Sequence, residues 1–321
     1  MMSEIFVSSF LSMGGALTRI FIIIVIAGLL VRKKVINQLH IEALSKVTVI
    51  VLLPSLVFSN TLIHFNPNTL PYWWVLPILG VLMSLVGVVV ASTLFFLDFK
   101  KNRNLIAIAS MQNAGYLVLP IGQVLYPEQF PDFALITFLF ILGFNLLLWT
   151  LGKYLVTVTD TKVEFTYKTL ITPPAVANIV SLLIVLIGAK EFVPNVLLSS
   201  VELLGQSAVP VATFILGATL GTVAFNQFPK FINIFRVLTV KYLLLPIITI
   251  LILYFTNINI NYPLLADFLV IQSAAAPASG LIIQVRTYGG DIQKVSSVML
   301  ISYLFCMFFL PFWIALWHTL A

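Results

Sequence analysis

Two segments of the chain place a proline among small and polar residues inside a long apolar stretch. The first, 111–120, reads MQNAGYLVLP and ends at Pro120, and the second, 271–280, reads IQSAAAPASG and contains Pro277. Proline removes a backbone N–H and clashes with the preceding helical turn, so a helix through either segment must break. We expect the first helix to stop near Gly115 and restart near Pro120, and the second to stop near Ser273 and restart near Pro277. Each break exposes unpaired N–H groups on one half-helix and unpaired C=O groups on the other. Because free N–H ends carry partial positive charge, the chemistry predicted here is non-covalent binding of an anion.

Amide side chains stand beside both breaks. Asn113 and Gln272 can donate hydrogen bonds to a carboxylate or to a carbonyl that the break has freed. The alternative is a pair of simple kinks, in which these amides hydrogen-bond only to backbone groups and bind no ligand. The residues predicted to form the binding site are Asn113, Gly115, Tyr116, Pro120, Gln272, Ser273, Pro277 and Ser279.

Two basic residues lie well inside apolar stretches, where a charge costs about 2.5–3.5 kcal/mol on insertion scales. Arg19 and Lys241 are therefore possible partners for the charge of a bound anion. The alternative for each is a side chain that extends to the lipid headgroups.

The composition places the chain in a lipid bilayer. It is 60% hydrophobic and 9% charged, whereas soluble domains carry roughly 25% charged residues. The net charge of +6 comes from basic residues scattered through short loops, which fits membrane topology rather than a nucleic-acid partner. The sequence has no metal-ligand spacing, no glycine-rich phosphate loop and no paired buried carboxylates. We therefore expect no enzyme activity, no metal and no cofactor.

Ten apolar stretches are long enough to cross a bilayer as helices, and a helix is required because lipid offers backbone groups no partner. These predicted spans are 10–31, 41–62, 72–97, 104–126, 133–155, 171–188, 197–221, 232–255, 264–287 and 295–318.

Lys and Arg residues concentrate in the odd-numbered connections between spans, with Lys190 as the exception. Positively charged connections face the cytoplasm. The pattern predicts a multi-pass protein of the cell membrane whose two termini are both extracytoplasmic.

The spans divide into two halves of five, so the second half enters the membrane from the opposite side and an inverted repeat is predicted. Two proline pairs support this, because Pro54 and Pro210, and Pro120 and Pro277, are offset by 156 and 157 positions. The predicted organisation is a first five-helix repeat over 1–155, a polar cytoplasmic linker over 156–170 and a second five-helix repeat over 171–321.

A series of short motifs resembles the auxin efflux carrier family of membrane transporters over nearly the whole chain. The motifs are Leu52-Leu53-Pro54, Asn113 to Pro120, Thr172-Pro173-Pro174, Ala208-Val209-Pro210, Leu216-Gly217-Ala218, Leu245-Pro246, Gln272 to Pro277, Tyr288-Gly289-Gly290, Ser296-Ser297 and Leu310-Pro311.

This resemblance implies an all-α fold in which ten transmembrane helices form two inverted five-helix repeats and the broken helices 4 and 9 cross at their prolines. It also implies a scaffold from spans 1, 2, 6 and 7, a transport domain from spans 3–5 and 8–10, and a homodimer through spans 2 and 7. Plant members hold the auxin carboxylate with asparagine near the crossing, a role that falls on Asn113 here. The short middle loop is similar to the bacterial branch, whose members are described as permeases for malate, malonate or similar acids.

The function predicted is secondary transport of a small organic anion, a carboxylate, by alternating access. One alternative is a sodium-coupled symporter like the bile-acid carriers, which share the crossed-helix plan. A non-transporting membrane receptor is a second alternative, and binding without movement across vesicles would identify it.

Overall fold

The computed structural model describes residues 2–157, 171–223, 229–288 and 291–321, and these residues are almost entirely helical. The helices are α1 (Met2–Arg32), α2 (Gln38–His64), α3 (Val75–Leu94), α4 (Phe99–Ser110), α5 (Val118–Leu125), α6 (Phe130–Val156), α7 (Pro173–Leu186), α8 (Asn195–Gly221), α9 (Phe231–Thr256), α10 (Pro263–Ser273), α11 (Gly280–Tyr288) and α12 (Ile292–Leu320). Short helical turns connect some of them, such as Ile258–Asn261 between α9 and α10.

Seven of the described helices are long and apolar enough to cross a membrane, namely α1, α2, α3, α6, α8, α9 and α12. Helices α7 and α10 are apolar but shorter. The predicted all-helical membrane protein is therefore confirmed. The arrangement of ten crossings as two inverted repeats stays a prediction, as does the division into the ranges 1–155, 156–170 and 171–321. Most of the predicted linker lies outside the described residues.

The two apolar stretches that contain the proline motifs are the two that split into separate helices. The first was expected to stop near Gly115, but α4 ends earlier, at Ser110, and α5 begins at Val118. The second stops at Ser273 as expected, while α11 begins at Gly280 rather than near Pro277. Both gaps are longer than predicted because Gln112 and Pro277 pair with each other as an isolated antiparallel bridge.

Glycines let several helices approach backbone to backbone. A Cβ atom at Gly143 of α6 would overlap the Pro77 carbonyl of α3, and one at Gly217 of α8 would overlap the Ile24 carbonyl of α1. Small residues at such crossings are typical of membrane helices, whose association depends on close packing. Extensive contacts join α3 to α6, α1 to α8 and α12, and α2 to α7 and α8.

A π-helical turn, Val240–Leu244, precedes Pro246 within α9. Proline cannot donate to the carbonyl four residues before it. The carbonyl left over is that of Tyr242, and it accepts a hydrogen bond from Trp313 Nε1 of α12 at 2.8 Å. The bond from Trp313 therefore satisfies a buried peptide group in the turn that also contains Lys241.

Polar side chains from the predicted third and ninth connections meet a residue near the start of predicted span 8 at one end of the helices. Asp98, which follows α3, pairs with Arg236 of α9 at 3.1 Å. Asn102 donates to the same Asp98 carboxylate at 2.8 Å and accepts from Lys294 Nζ at 2.9 Å. The third and ninth connections therefore lie on the same side of the molecule. Which side faces the cytoplasm stays a prediction.

The glycine contacts predict a difference between two alanine substitutions. Gly143→Ala forces a methyl group onto the Pro77 carbonyl, and overpacking of this kind costs about 1–3 kcal/mol. We expect a lower melting temperature for this variant in detergent, measured by dye-monitored thermal unfolding. Gly15→Ala is the matched control, because no atom lies within 4 Å of the added methyl group. Equal melting temperatures for the two variants would contradict the packing described here.

Candidate functional site

The two helix breaks cross in direct contact. Asn113 N donates to Ala276 O at 2.8 Å, and Ala278 N donates to Met111 O at 2.9 Å. These reciprocal bonds replace helical bonds that are lost where the two helices break, so each break supplies partners that the other lacks. The three alanines 274–276 offer little side-chain bulk, which permits the close approach of the two backbones.

Every carbonyl of the second break from residue 274 to residue 277 accepts a hydrogen bond. The donors come from α9, from α12 and from the first break. They are Cys306 Sγ to Ala274 O (3.8 Å), Lys241 Nζ to Ala275 O (3.5 Å), Asn113 N to Ala276 O (2.8 Å) and Tyr303 Oη to Pro277 O (2.9 Å). An unwound segment survives at membrane depth only when its peptide groups are satisfied by protein or water, and here side chains of two neighbouring helices contribute.

Asn113 is held in place by two hydrogen bonds. Its Nδ2 donates to Tyr303 Oη at 2.6 Å, and its Oδ1 accepts from the backbone N of Tyr116 at 3.0 Å. The side chain thus stabilises the turn that leads into α5, so Asn113 has a structural role there. Asn113 also lines the cavity beside the crossing, so one Nδ2 hydrogen is left for a ligand.

A cavity of about 230 Å³ lies beside the crossing, between α2, α6 and α7. Asn113, Gly115, Tyr116 and Ser279 of the predicted site line it. Most of the remaining wall is apolar and includes Leu53 and Phe138. The described residues that line the cavity include no Asp, Glu, Lys, Arg or His.

Three further amides line this cavity and were missed in the sequence, namely Gln112, Asn145 and Asn178. Gln112 is 1% exposed, and its Nε2 is buried with no hydrogen-bond partner among the described residues. Asn178 Nδ2 donates to Phe138 O at 2.9 Å, while its Oδ1 is buried without a partner there. Asn145 and Asn178 could have been found in the sequence, because each is an amide inside an otherwise apolar predicted span, span 5 and span 6 respectively.

Four predicted site residues do not line the cavity. Gln272 and Ser273 are fully buried at the end of α10, and Ser273 Oγ bonds to Val270 O within its own helix. Both amide atoms of Gln272 lack a partner in the described part of the chain. Pro120 lies in the first turn of α5 and Pro277 in the bridge. Their direct contact with a ligand stays a prediction.

The two candidate charge partners also lie outside the cavity wall. Arg19 is exposed on the surface of α1. Lys241 is fully buried, so the alternative in which its side chain extends to the headgroups is wrong. It binds the second break at Ala275 instead, behind the segment that carries Ser279.

The hydrogen bonds of Tyr303 predict a loss of stability on removal of one oxygen atom. Tyr303→Phe leaves Asn113 Nδ2 and Pro277 O without this partner. A buried group left unsatisfied costs about 1–3 kcal/mol, so we expect a clear fall in melting temperature. The control is Tyr254→Phe, since Tyr254 is 54% exposed on α9. A Tyr303→Phe protein as stable as this control would rule out the described role of the hydroxyl group.

Comparison with known proteins agrees with this architecture. The family model described as "Membrane transport protein" matches residues 13–165 and 158–314. The protein named "Protein PIN-LIKES 3" from Arabidopsis thaliana is 31% identical over 156 residues, which is 46% of this chain and 40% of that relative. The alignment therefore spans less than half of either protein. The two family matches together cover almost the whole sequence, and the chain belongs to the auxin efflux carrier family of membrane transport proteins.

Proposed function

We propose that the protein is a secondary transporter, and not an enzyme, that moves a small organic anion across the membrane by alternating access. The observation that carries the proposal is the contact between two broken helices beside a cavity lined by amides and hydroxyl groups. Broken helices at the membrane midplane are where secondary transporters bind their substrates. The transported group would be a carboxylate, which amide N–H groups, hydroxyl groups and the positive ends of half-helices can bind.

The shape and chemistry of the cavity favour a monocarboxylate with an apolar body. A volume of about 230 Å³ is below the range of roughly 300–1,000 Å³ typical of pockets for drug-sized ligands. Polar groups lie at the crossing, at Gln112, Asn113 and Ser279, while the opposite wall is mostly apolar and adds the amides of Asn145 and Asn178. A dicarboxylate such as malate or malonate would need a second cationic partner, and the described lining residues supply none.

Alternating access would move one group of helices against another. The proposed scaffold is α1, α2, α7 and α8, and the proposed transport domain is α3–α6 with α9–α12. The cavity lies between α2 and α7 on one side and α6 with the crossing on the other, so it lies along the proposed domain boundary. In an inverted repeat, the pair α6 and α7 corresponds to the pair α12 and α1. The first pair makes few contacts, whereas the second packs extensively, as expected for a state open on one side only.

The closed side is the one where both described ends of the chain lie. Phe6 of α1 packs edge-on against Phe312 of α12, with ring centroids 6.0 Å apart. Ser9 Oγ and His318 Nδ1 are hydrogen-bonded at 3.0 Å, and His318 Nε2 lies 3.2 Å from Asp267. This α1–α12 seam, defined by Phe6, Ser9, Phe312 and His318, would have to open when the transporter faces the other side.

Two alternatives make different predictions for the same assay. A sodium-coupled symporter would lose uptake in sodium-free buffer, and a receptor would bind organic acids without moving them across vesicles. We favour neither, because the described cavity wall holds no carboxylate that could bind sodium and the chain belongs to a transport family.

We further propose the cell membrane as the location, with both termini extracytoplasmic, and a homodimer through α2 and α8. Large apolar side chains are exposed on these helices, among them Ile50 of α2 and Leu203 of α8. Either lipid or a second copy could cover them. Native mass spectrometry of the detergent-purified protein distinguishes a dimer from a monomer.

The proposed site predicts that two different substitutions impair transport strongly. Asn113→Ala removes an amide donor, and a lost hydrogen bond to a charged group lowers affinity about tenfold to a hundredfold. Gly115→Leu should fill the cavity, because the nearest atom to an added Cβ is Ile141 Cδ1 at 3.9 Å. We expect both variants to lose uptake of monocarboxylates in proteoliposomes while Gly115→Leu keeps its melting temperature.

Lys190→Ala, at an exposed residue that bonds to Ile63 O, is the control. Normal uptake by both site variants would place the substrate elsewhere.

The proposed motion predicts that locking the α1–α12 seam stops transport. Cys306 is the native cysteine, and it is buried, so new surface cysteines can be labelled selectively. Ser9→Cys combined with His318→Cys, joined by a short bifunctional thiol reagent, should stop uptake until the link is cleaved. Each single-cysteine variant treated with the same reagent is the control. Undiminished uptake by the cross-linked double variant would mean that this seam does not open.

A further inference from the structure

Lys241 places an ammonium group next to the second helix break, where it is fully buried. The residue lies in the π-helical turn of α9, and its side chain is 0% exposed. Its Nζ lies 3.5 Å from Ala275 O, a carbonyl that the break in front of α11 has released from helical bonding. A charged side chain at such a depth is costly and is commonly retained for function.

The surroundings of this ammonium group contain dipoles rather than charges. The groups of the described residues that interact with it are the thiol of Cys306 from α12 and the carbonyl of Ala275. Among the described residues, no carboxylate is one of the groups that interact with Lys241.

Carbonyl groups at a helix break are the ligands that broken-helix transporters offer to a coupling sodium ion. Ala275 lies two residues beyond the end of α10 at Ser273, where the helix carries partial negative charge. A cation is favoured at this point. Of the four donors to the carbonyls 274–277, Cys306, Asn113 and Tyr303 are neutral, and Lys241 alone brings a positive charge.

We propose that the Lys241 ammonium group is a tethered cation that occupies, at the crossing, the place a coupling metal cation would otherwise take. It holds the second break in its bonded form and offsets the negative charge of a substrate bound on the cavity side. Lys241 is then a positioning residue that does not touch the substrate, and transport requires neither sodium nor potassium. This inference rests on the proposed function.

Two substitutions separate the charge of Lys241 from its volume. Lys241→Met keeps most of the side-chain volume and removes the charge. We expect monocarboxylate uptake to fall about tenfold or more, because a charged hydrogen bond in the site is lost. Lys241→Ala removes both and leaves space for a small cation. For this variant we expect equally low uptake that rises several-fold when methylammonium is added, since that ion restores a primary ammonium group. Lys190→Met and Lys190→Ala, at an exposed lysine, are the matched controls and should show neither effect.

A second measurement does not depend on the substrate. Melting temperatures of purified Lys241→Ala protein are compared in methylammonium chloride and in tetramethylammonium chloride, whose cation is too large and has no N–H donor. Methylammonium should stabilise this variant and leave the wild-type protein unchanged. Uptake by the wild-type protein should be the same when choline replaces sodium and potassium.

The outcomes distinguish the two proposals. Wild-type protein that moves no organic anion would overturn the proposed function, and the melting temperatures would still decide the role of Lys241. Wild-type uptake that requires sodium, or normal uptake by Lys241→Met, would overturn the tethered cation. So would a Lys241→Ala protein that methylammonium neither stabilises nor reactivates, because the lysine would then act through packing alone.

Discussion

The structure depends on the need to satisfy peptide groups that proline has freed inside an apolar environment. A single broken helix would leave several carbonyl and N–H groups without partners, each at a cost of several kcal/mol in lipid. Here the two breaks supply each other through the bonds from Asn113 N to Ala276 O and from Ala278 N to Met111 O. Each break thus depends on the other for hydrogen-bond partners, and the cavity lies beside this shared junction.

Around this crossing the helices form a rigid support with a cavity on one face. Tyr303, Cys306 and Lys241 bond to the second break from behind, whereas Gln112, Asn113 and Ser279 line the cavity in front. The hydrogen bonds that support the backbone and the side chains that line the cavity thus lie on opposite faces of the same short segments. This division suits a transporter, since a substrate can bind and leave on one face while the other face keeps the backbone satisfied.

The sequence predicted those features that depend on local chemistry. Apolar length predicted the membrane helices, and Pro120 and Pro277 predicted where two of them break. What it could not predict depends on tertiary contact. The early end of α4 at Ser110 follows from pairing with residues more than 160 positions away. Gln272 and Gln112 are both amides beside a break, yet only Gln112 lines the cavity. The direction of each half-helix around the crossing decides that difference.

The two bonds that join the breaks run from main chain to main chain. These bonds do not involve the side chains at positions 111, 113, 276 and 278. They require only that residues 113 and 278 keep a backbone N–H group, which excludes proline there. Evolution can therefore alter the cavity-lining side chains without breaking the hydrogen bonds that join the two segments. A lineage could acquire selectivity for a new solute through a few substitutions on this surface. The bonds beneath it use only backbone N–H and C=O groups, which every amino acid except proline provides.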